Sequence, residues 1–141
     1  MQCSPLSHWK IAISILRKGL LPLTLLLPLG AWGDYDKQYQ ACLDASGMIN
    51  NASVAGCAEG VSETVKKEMN RVYQQLFLKL QESQPADAEQ LETAQKAWLI
   101  YRNGQCDLQG KHVGSPMYYT CPMELNIQRV EELKFLLENG G

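Results

Sequence analysis

Residues 91–106 read LETAQKAWLIYRNGQC, and their apolar positions recur with the period of an α-helix. The apolar side chains of this pattern are Leu91, Ala94, Ala97, Trp98 and Tyr101. Their spacing puts them on one side of a helix, so the sequence predicts a helix whose apolar face is directed toward a core. The Asn103-Gly104 pair then interrupts the pattern, as glycine does at the carboxyl end of many helices. The segment therefore predicts a helix that ends just before Cys106.

Apolar periodicity of the same kind predicts three further helices. Residues 34–46 carry a short helical pattern, and residues 58–81 carry the longest one, in which apolar side chains advance by three or four positions. A last helix is predicted to begin at Cys121, with Pro122 in its first turn, where the missing N–H of proline is tolerated. The helix of residues 58–81 should pack against that of residues 91–106 as an antiparallel hairpin.

Segments rich in glycine, proline, serine and asparagine separate these helices. They are residues 47–56, residues 83–87 and residues 107–120, and their composition predicts loops or turns. No segment shows the alternation of apolar and polar residues that is typical of a strand. The predicted fold class is therefore all-α, a small antiparallel helical bundle.

The amino-terminal residues have the pattern of a secretory signal peptide. Three basic residues precede an apolar segment, residues 19–29, and the small residues Ala31 and Gly33 follow it at the positions that signal peptidase recognises. The alternative is a membrane anchor, but this segment is shorter than the roughly 20 residues that a spanning helix requires. The sequence therefore predicts a signal peptide at residues 1–33, a mature domain at residues 34–141 without a membrane anchor, and a periplasmic or secreted location.

The predicted mature segment is acidic, because residues 34–141 contain ten basic and fifteen acidic side chains, a formal charge of −5. This balance argues against binding to nucleic acid or to an anionic membrane surface, and it permits a cationic partner. A mild negative charge also keeps many secreted domains soluble, so the charge alone does not identify the partner.

Four cysteines remain in the mature segment, an even number in a chain predicted to enter an oxidising compartment, and we expect two disulfides. Four cysteines allow three pairings, and the sequence alone does not choose among them. We favour Cys42–Cys57 and Cys106–Cys121, because each pair is 15 residues apart and flanks a predicted loop. The alternative is a four-cysteine zinc site, but such sites usually contain closely spaced cysteine pairs, which this chain lacks. We therefore predict no metal and no cofactor.

Few residues of the mature segment could support catalysis. His112 is its only histidine and lies alone in a predicted loop, where a histidine is most often a solvated surface residue. The thiols are expected to be oxidised, and no metalloprotease, P-loop or EF-hand motif is present. We therefore predict a binding protein rather than an enzyme.

The aromatic residues divide into two groups. Trp98 and Tyr101 have helical spacing and are expected to lie in the core, with Arg102 complementing the dipole at the end of their helix. Tyr118 and Tyr119 are adjacent in a predicted loop, where they cannot both face one core easily. At least one of these two tyrosines is therefore a candidate contact for a partner.

A set of residues in the second half of the chain occurs in a recognisable order. It comprises Ala94-Gln95, Ala97-Trp98, Tyr101-Arg102, Cys106, Gly114-Ser115, Cys121, Arg129 and Leu133. This pattern resembles the signature of the LprI-type family of small secreted bacterial domains. The resemblance implies an exported, disulfide-linked helical domain, whose family takes its name from an inhibitor of lysozyme. We expect mainly structural roles for the motif residues Gln95, Trp98, Tyr101, Arg102 and Arg129.

Two positions depart from that pattern. An acidic residue usually follows the Tyr-Arg pair, whereas this chain has Asn103, and Asn126 stands where threonine is common. These departures leave the expected fold unchanged.

The leading hypothesis is a periplasmic or secreted binding protein that inhibits lysozyme by covering its active-site cleft. An acidic side chain would be repelled by the carboxylates of that cleft, so the contacts are expected from neutral or basic side chains of the predicted loop. Those side chains are Lys111, His112, Ser115, Tyr118 and Tyr119. The alternative is an envelope interaction module that binds another protein, a peptide or a cell-wall fragment without inhibiting lysozyme.

Overall fold

A computed structural model describes residues 32–140, which form four α-helices and no strand, so the predicted all-α class is confirmed. The helices are α1 (Trp32–Ala45), α2 (Asn51–Ser83), α3 (Pro85–His112) and α4 (Met117–Asn139). None of the helices in this part of the chain combines the length and the apolar character that crossing a bilayer would require. The predicted signal peptide falls almost entirely outside the described residues and stays a prediction.

The core lies mainly between α2 and α4, which make the most extensive helix pair. The apolar series predicted for α2 is buried as expected, and its fully or nearly buried members are Val61, Val65, Met69, Val72 and Leu76. They meet Ile127, Val130 and Leu133 of α4. Only Gln84 separates α2 from α3, so the two helices form the predicted antiparallel hairpin, while α1 packs chiefly on α2. The fold is thus built around one long central helix.

The start of α2 differs from the sequence-based prediction, which assigned residues 47–56 to a loop. The helix begins at Asn51, and the side-chain oxygen of Asn50 accepts hydrogen bonds from the backbone N–H groups of Ala52 and Ser53 at 2.9 and 3.0 Å. The Ser53 hydroxyl in turn accepts from the Asn50 N–H at 2.9 Å, which completes a capping box. The asparagine and serine that suggested a loop therefore begin a helix, because both residue types favour caps as well as turns.

The predicted end of α3 at Asn103-Gly104 is wrong. The helix runs through Gly104 to His112, so the predicted loop of residues 107–120 shrinks to residues 113–116, and α4 begins before Cys121. A helical glycine is only about 1 kcal/mol less favourable than alanine, and the burial of Cys106 and Gly110 in the continuing helix outweighs that penalty. Pro122 consequently lies inside α4 rather than at its start.

The face of α3 that contacts the bundle also differs from the purely apolar face predicted. Ala94, Ala97 and Tyr101 are exposed, although they follow the helical period. The buried and half-buried residues of α3 are Ala88, Leu91, Gln95, Trp98, Leu99, Arg102, Gln105, Cys106, Gln109 and Gly110. Several polar residues thus lie on the inner face, which a pattern built from apolar residues alone does not detect.

Both predicted disulfides are present and fasten successive helices to each other. Cys42–Cys57 joins α1 to α2, and Cys106–Cys121 joins α3 to α4, with Cα–Cα distances of 5.7 and 5.5 Å. A cross-link that closes a loop of this length stabilises the folded chain by about 3 kcal/mol in the chain-entropy model. The second bond closes the covalent loop that contains the α3–α4 connection, and it thereby limits the freedom of the connecting residues.

Two glycines of α3 give a matched test of this packing. A Cβ added at Gly104 meets no atom within 4 Å, whereas one added at Gly110 would overlap the ring of Tyr118. We expect Gly104→Ala to raise the free energy of unfolding by about 0.5–1 kcal/mol, because alanine restricts the unfolded chain and favours helix. We expect Gly110→Ala to lower it by about 1–3 kcal/mol through overpacking.

Urea denaturation of the oxidised protein, followed by circular dichroism, measures both free energies. Equal changes in the two variants would contradict the assignment of Gly110 to a close contact and of Gly104 to an open helix face.

Candidate functional site

Trp98 is half-buried, and two guanidinium groups lie close to its indole ring. The Cζ atom of Arg102 is 5.3 Å from the centre of the indole ring, and that of Arg129 is 5.7 Å away. Arg102 is one helical turn further along α3, whereas Arg129 comes from α4. Each cation–π contact of this kind contributes about 0.5–1 kcal/mol at an exposed site and more where water is excluded. The indole therefore links α3 to α4 through charge as well as through packing.

Asn126 joins three helices from a fully buried position on α4. Its Nδ2 group donates to the hydroxyl of Ser62 on α2 at 2.9 Å, and its Oδ1 atom accepts from Nη1 of Arg102 on α3 at 2.9 Å. No buried side-chain nitrogen or oxygen within the described residues is left without a hydrogen-bond partner. Because an unpaired polar group inside a protein is costly, this bridge requires the three helices to keep one relative arrangement.

Gln95 and Arg129 extend this network along the α3–α4 interface. The Nε atom of Arg129 donates to Oε1 of Gln95 at 2.9 Å, and its Nη1 atom pairs with Glu132 at 2.9 Å. Four of the five motif residues therefore have structural contacts in the bundle, namely Gln95, Trp98, Arg102 and Arg129. The fifth, Tyr101, is 56% exposed and does not join them.

Beside this network lies an open cleft of about 280 Å³, here called the Arg102 cleft. Its lining residues are Glu59, Ser62, Glu63, Lys66, Arg102, Asn103, Tyr118, Tyr119 and Pro122. Burial disfavours the charged form of Arg102 and lowers the pKa of its guanidinium, which Asn103 orients by accepting from Nε and Nη2 at 3.1 and 2.8 Å. The hydrogen bond from Lys66 holds the pKa of the Glu63 carboxyl below its usual value.

The five side chains predicted to contact a partner lie at one end of the bundle, here called the α3–α4 corner and comprising residues 107–120. Lys111 and His112 are in the last turn of α3, and Ser115 is in the connection. The two tyrosines are in the first turn of α4 and line the Arg102 cleft, whereas the other three side chains do not. The structure thus gathers these residues in one region but divides them between the cleft and its outer side.

Several contacts hold the α3–α4 corner in place. Nδ2 of Asn51 at the start of α2 donates to the Ser115 hydroxyl at 3.4 Å. Lys111 forms an ion pair with Asp107 at 2.5 Å, and this hydrogen-bonded carboxylate raises the pKa of the lysine. The Tyr118 ring packs directly on Gly110. Together with the Cys106–Cys121 disulfide, these contacts hold the helix ends and the connection that carry the predicted contact residues.

Sequence reasoning missed Ser62, Asn126 and Gly110 as members of this region. Ser62 and Asn126 are the only buried polar residues within the described part of the chain. Each interrupts an otherwise apolar helical stripe. A polar residue inside such a stripe is a signal that could have identified them, because it needs a partner in the core. Gly110 gave no such signal, since its role depends on a tyrosine from the next helix.

Comparison with known proteins gives a family match and one close sequence relative. The family described as lysozyme inhibitor LprI matches residues 42–133. The uncharacterized protein R02472 of Rhizobium meliloti (strain 1021) is 36% identical over 112 residues, covering 69% of this chain and 81% of that protein. No solved structure gives a significant match.

The buried bridge at Asn126 can be tested with a matched asparagine. We expect Asn126→Ala to lower the free energy of unfolding by about 2–3 kcal/mol, because Ser62 and Arg102 each lose a partner inside the bundle. The control Asn70→Ala removes the same atoms from an exposed position of α2 and should change that free energy by less than about 0.5 kcal/mol.

Urea denaturation of the two variants measures both quantities. A double-mutant cycle between Ser62→Ala and Asn126→Ala should give a coupling energy of at least about 0.5 kcal/mol. Additive effects of the two substitutions would contradict the bridge.

Proposed function

This chain belongs to the LprI family, and on that premise we propose that it is an exported binding protein that inhibits lysozyme. The family description is the observation that carries the proposal, and it favours a binding role over catalysis. The even set of oxidised cysteines supports export, because disulfides persist mainly outside the cytosol. The α3–α4 corner is the surface that we assign to the contact with the enzyme.

The shape and composition of the α3–α4 corner support this assignment. Tyr118 and Tyr119 are 42% and 43% exposed, and Val113 beside them is 73% exposed. Tyrosine is enriched among the residues that dominate binding energy at protein interfaces, since it buries a large rigid ring and keeps a polar end. The contact with Gly110 orders the Tyr118 ring before binding, and the Cys106–Cys121 disulfide links the two helices that carry the corner, which lowers the entropy lost on association.

The net charge of the domain and the charges near the contact both support lysozyme as the partner. The net charge of −5 on residues 34–141 attracts an enzyme class that is typically cationic and speeds encounter. Close to the contact, the only acid of the α3–α4 corner is Asp107, and Lys111 already pairs with it. Residues 107–120 therefore bring no unpaired negative charge of their own toward the carboxylates of the lysozyme cleft.

The test is lysis of peptidoglycan by lysozyme in the presence of the oxidised protein. We expect dose-dependent inhibition, and we expect replacement of Tyr118 and Tyr119 by alanine to raise the inhibition constant at least about tenfold. Tyr101→Ala removes a tyrosine that is 56% exposed, more than either of these two, from the outer side of α3. It is the control, and its inhibition constant should stay within about twofold of the wild type. The disulfide-reduced protein should inhibit more weakly.

Salt dependence separates this proposal from a general envelope interaction module. The association rate with lysozyme should fall markedly as ionic strength rises, because screening shortens the range of the attraction. A folded protein that does not slow lysis even in large excess would contradict the proposal and favour the envelope module. If a variant with alanine at all five predicted contact positions still inhibited lysozyme, the proposed function would be supported, but the contact surface would lie outside the α3–α4 corner.

A further inference from the structure

Arg102 is the arginine without an acidic partner in the part of the chain that the structure describes. Arg71 pairs with Glu68 and Arg129 pairs with Glu132, at 2.7 and 2.9 Å. The hydrogen bonds of Arg102 all go to neutral amide oxygens, those of Asn103 and Asn126. A half-buried positive charge therefore remains uncompensated at the wall of the cleft, although burial makes such a charge unfavourable.

The geometry of Arg102 leaves it able to bind an anion. A guanidinium has five N–H donors, and the three hydrogen bonds to Asn103 and Asn126 leave two of them unused. Those three bonds and the cation–π contact with Trp98 also restrict the orientation of the group. A planar, oriented guanidinium recognises a carboxylate better than a flexible ammonium does, because two parallel N–H groups can bind its two oxygens.

The other residues that line the Arg102 cleft indicate which further groups a carboxylate ligand would carry. Glu63 and Lys66 neutralise each other in an ion pair at 2.5 Å. Glu59 forms no ion pair within the described residues, so the cleft contains one unpaired acid as well as one unpaired base. The rings of Tyr118 and Tyr119 supply apolar surface between charged groups. A small molecule with a carboxylate, an ammonium and a short apolar part would complement all three features.

We propose that the Arg102 cleft binds the free carboxylate of a small zwitterionic ligand, an amino acid or a dipeptide, with Arg102 holding the carboxylate and Glu59 favouring the ammonium. The volume of about 280 Å³ suits a ligand of this size, since pockets for drug-sized molecules begin at roughly 300 Å³. This site goes beyond lysozyme inhibition, because it requires no protein partner. It shares only its two tyrosines with the surface assigned to that partner.

The experiment is a titration of the ¹⁵N-labelled oxidised full-length protein with alanyl-alanine, followed by ¹H–¹⁵N correlation NMR. We expect saturable shifts of the backbone amide signals of Arg102, Tyr118 and Tyr119, which line the cleft. Alanyl-alaninamide, which lacks the free carboxylate, should bind at least about tenfold more weakly, and N-acetyl-alanyl-alanine, which lacks the ammonium, should bind a few fold more weakly. Equal affinity for the acid and the amide, or no saturable shift at about 20 mM dipeptide, would overturn the proposal.

A nearly isosteric variant tests the role of Arg102 without removing it. Asn103→Asp places a carboxylate where the amide oxygen now accepts from Nε and Nη2, and it should neutralise the guanidinium and weaken dipeptide binding at least about tenfold. Asn70→Asp adds the same charge at an exposed position of α2 away from the cleft and should leave the affinity within about twofold. Unchanged affinity in Asn103→Asp would overturn the assignment.

A substitution of Glu59 tests whether this carboxylate favours the ammonium group of the ligand. Glu59→Gln should weaken binding of alanyl-alanine and leave that of N-acetyl-alanyl-alanine unchanged, because only the former carries an ammonium. All of these measurements report direct binding of a small molecule. Their failure would therefore leave lysozyme inhibition untouched, and an absence of inhibition would not affect them.

Discussion

The hydrogen bonds of one buried amide, that of Asn126, tie the bundle into a single arrangement. Apolar packing is most extensive between α2 and α4, but packing alone tolerates small rotations and shifts of a helix. The Asn126 amide does not tolerate such shifts, because its N–H group donates to Ser62 on α2 while its oxygen accepts from Arg102 on α3. A buried polar group that is fully hydrogen-bonded in one helix arrangement would lose these bonds in other arrangements. The free-energy cost of that loss favours the observed arrangement.

The same network connects the interior of the bundle to its surface. Arg102 contacts the buried amide on one side and the open cleft on the other, while Trp98 holds its plane. The position of a potential binding group is thus set by the core and not by a loop. Side chains carried on helices and locked by second contacts keep their geometry more closely than side chains on flexible segments do. Tyr118 of the α3–α4 corner is held in a comparable way by its contact with Gly110, and the Cys106–Cys121 disulfide links the two helices that form the corner.

The sequence predicted those parts of this structure that depend on apolar periodicity and on cysteine spacing. The buried stripe of α2, the all-α class and both disulfides follow from such patterns. The helix boundaries could not be predicted from these patterns. Asparagine occurs both in turns and at helix caps, as at Asn50, and glycine occurs both at helix ends and within helices, as at Gly104, so tertiary packing decides where each helix ends. The inner face of α3 was not predicted for a different reason. Gln95 and Arg102 are half-buried because they pair with polar groups of α4, and apolar periodicity within α3 does not reveal a partner on another helix. The five predicted contact residues remain predictions.

Each disulfide joins two helices that are consecutive in the chain, and the two covalent loops do not overlap. In a polypeptide that crosses a membrane amino terminus first, the cysteines emerge in the order in which they pair. An oxidase that acts on the most recently exposed thiols therefore forms the native bonds directly, and no wrong pair has to be rearranged by thiol exchange. If the chain is exported, as we propose, this connectivity would allow oxidation during translocation, with the amino-terminal hairpin cross-linked before the rest of the chain has crossed the membrane.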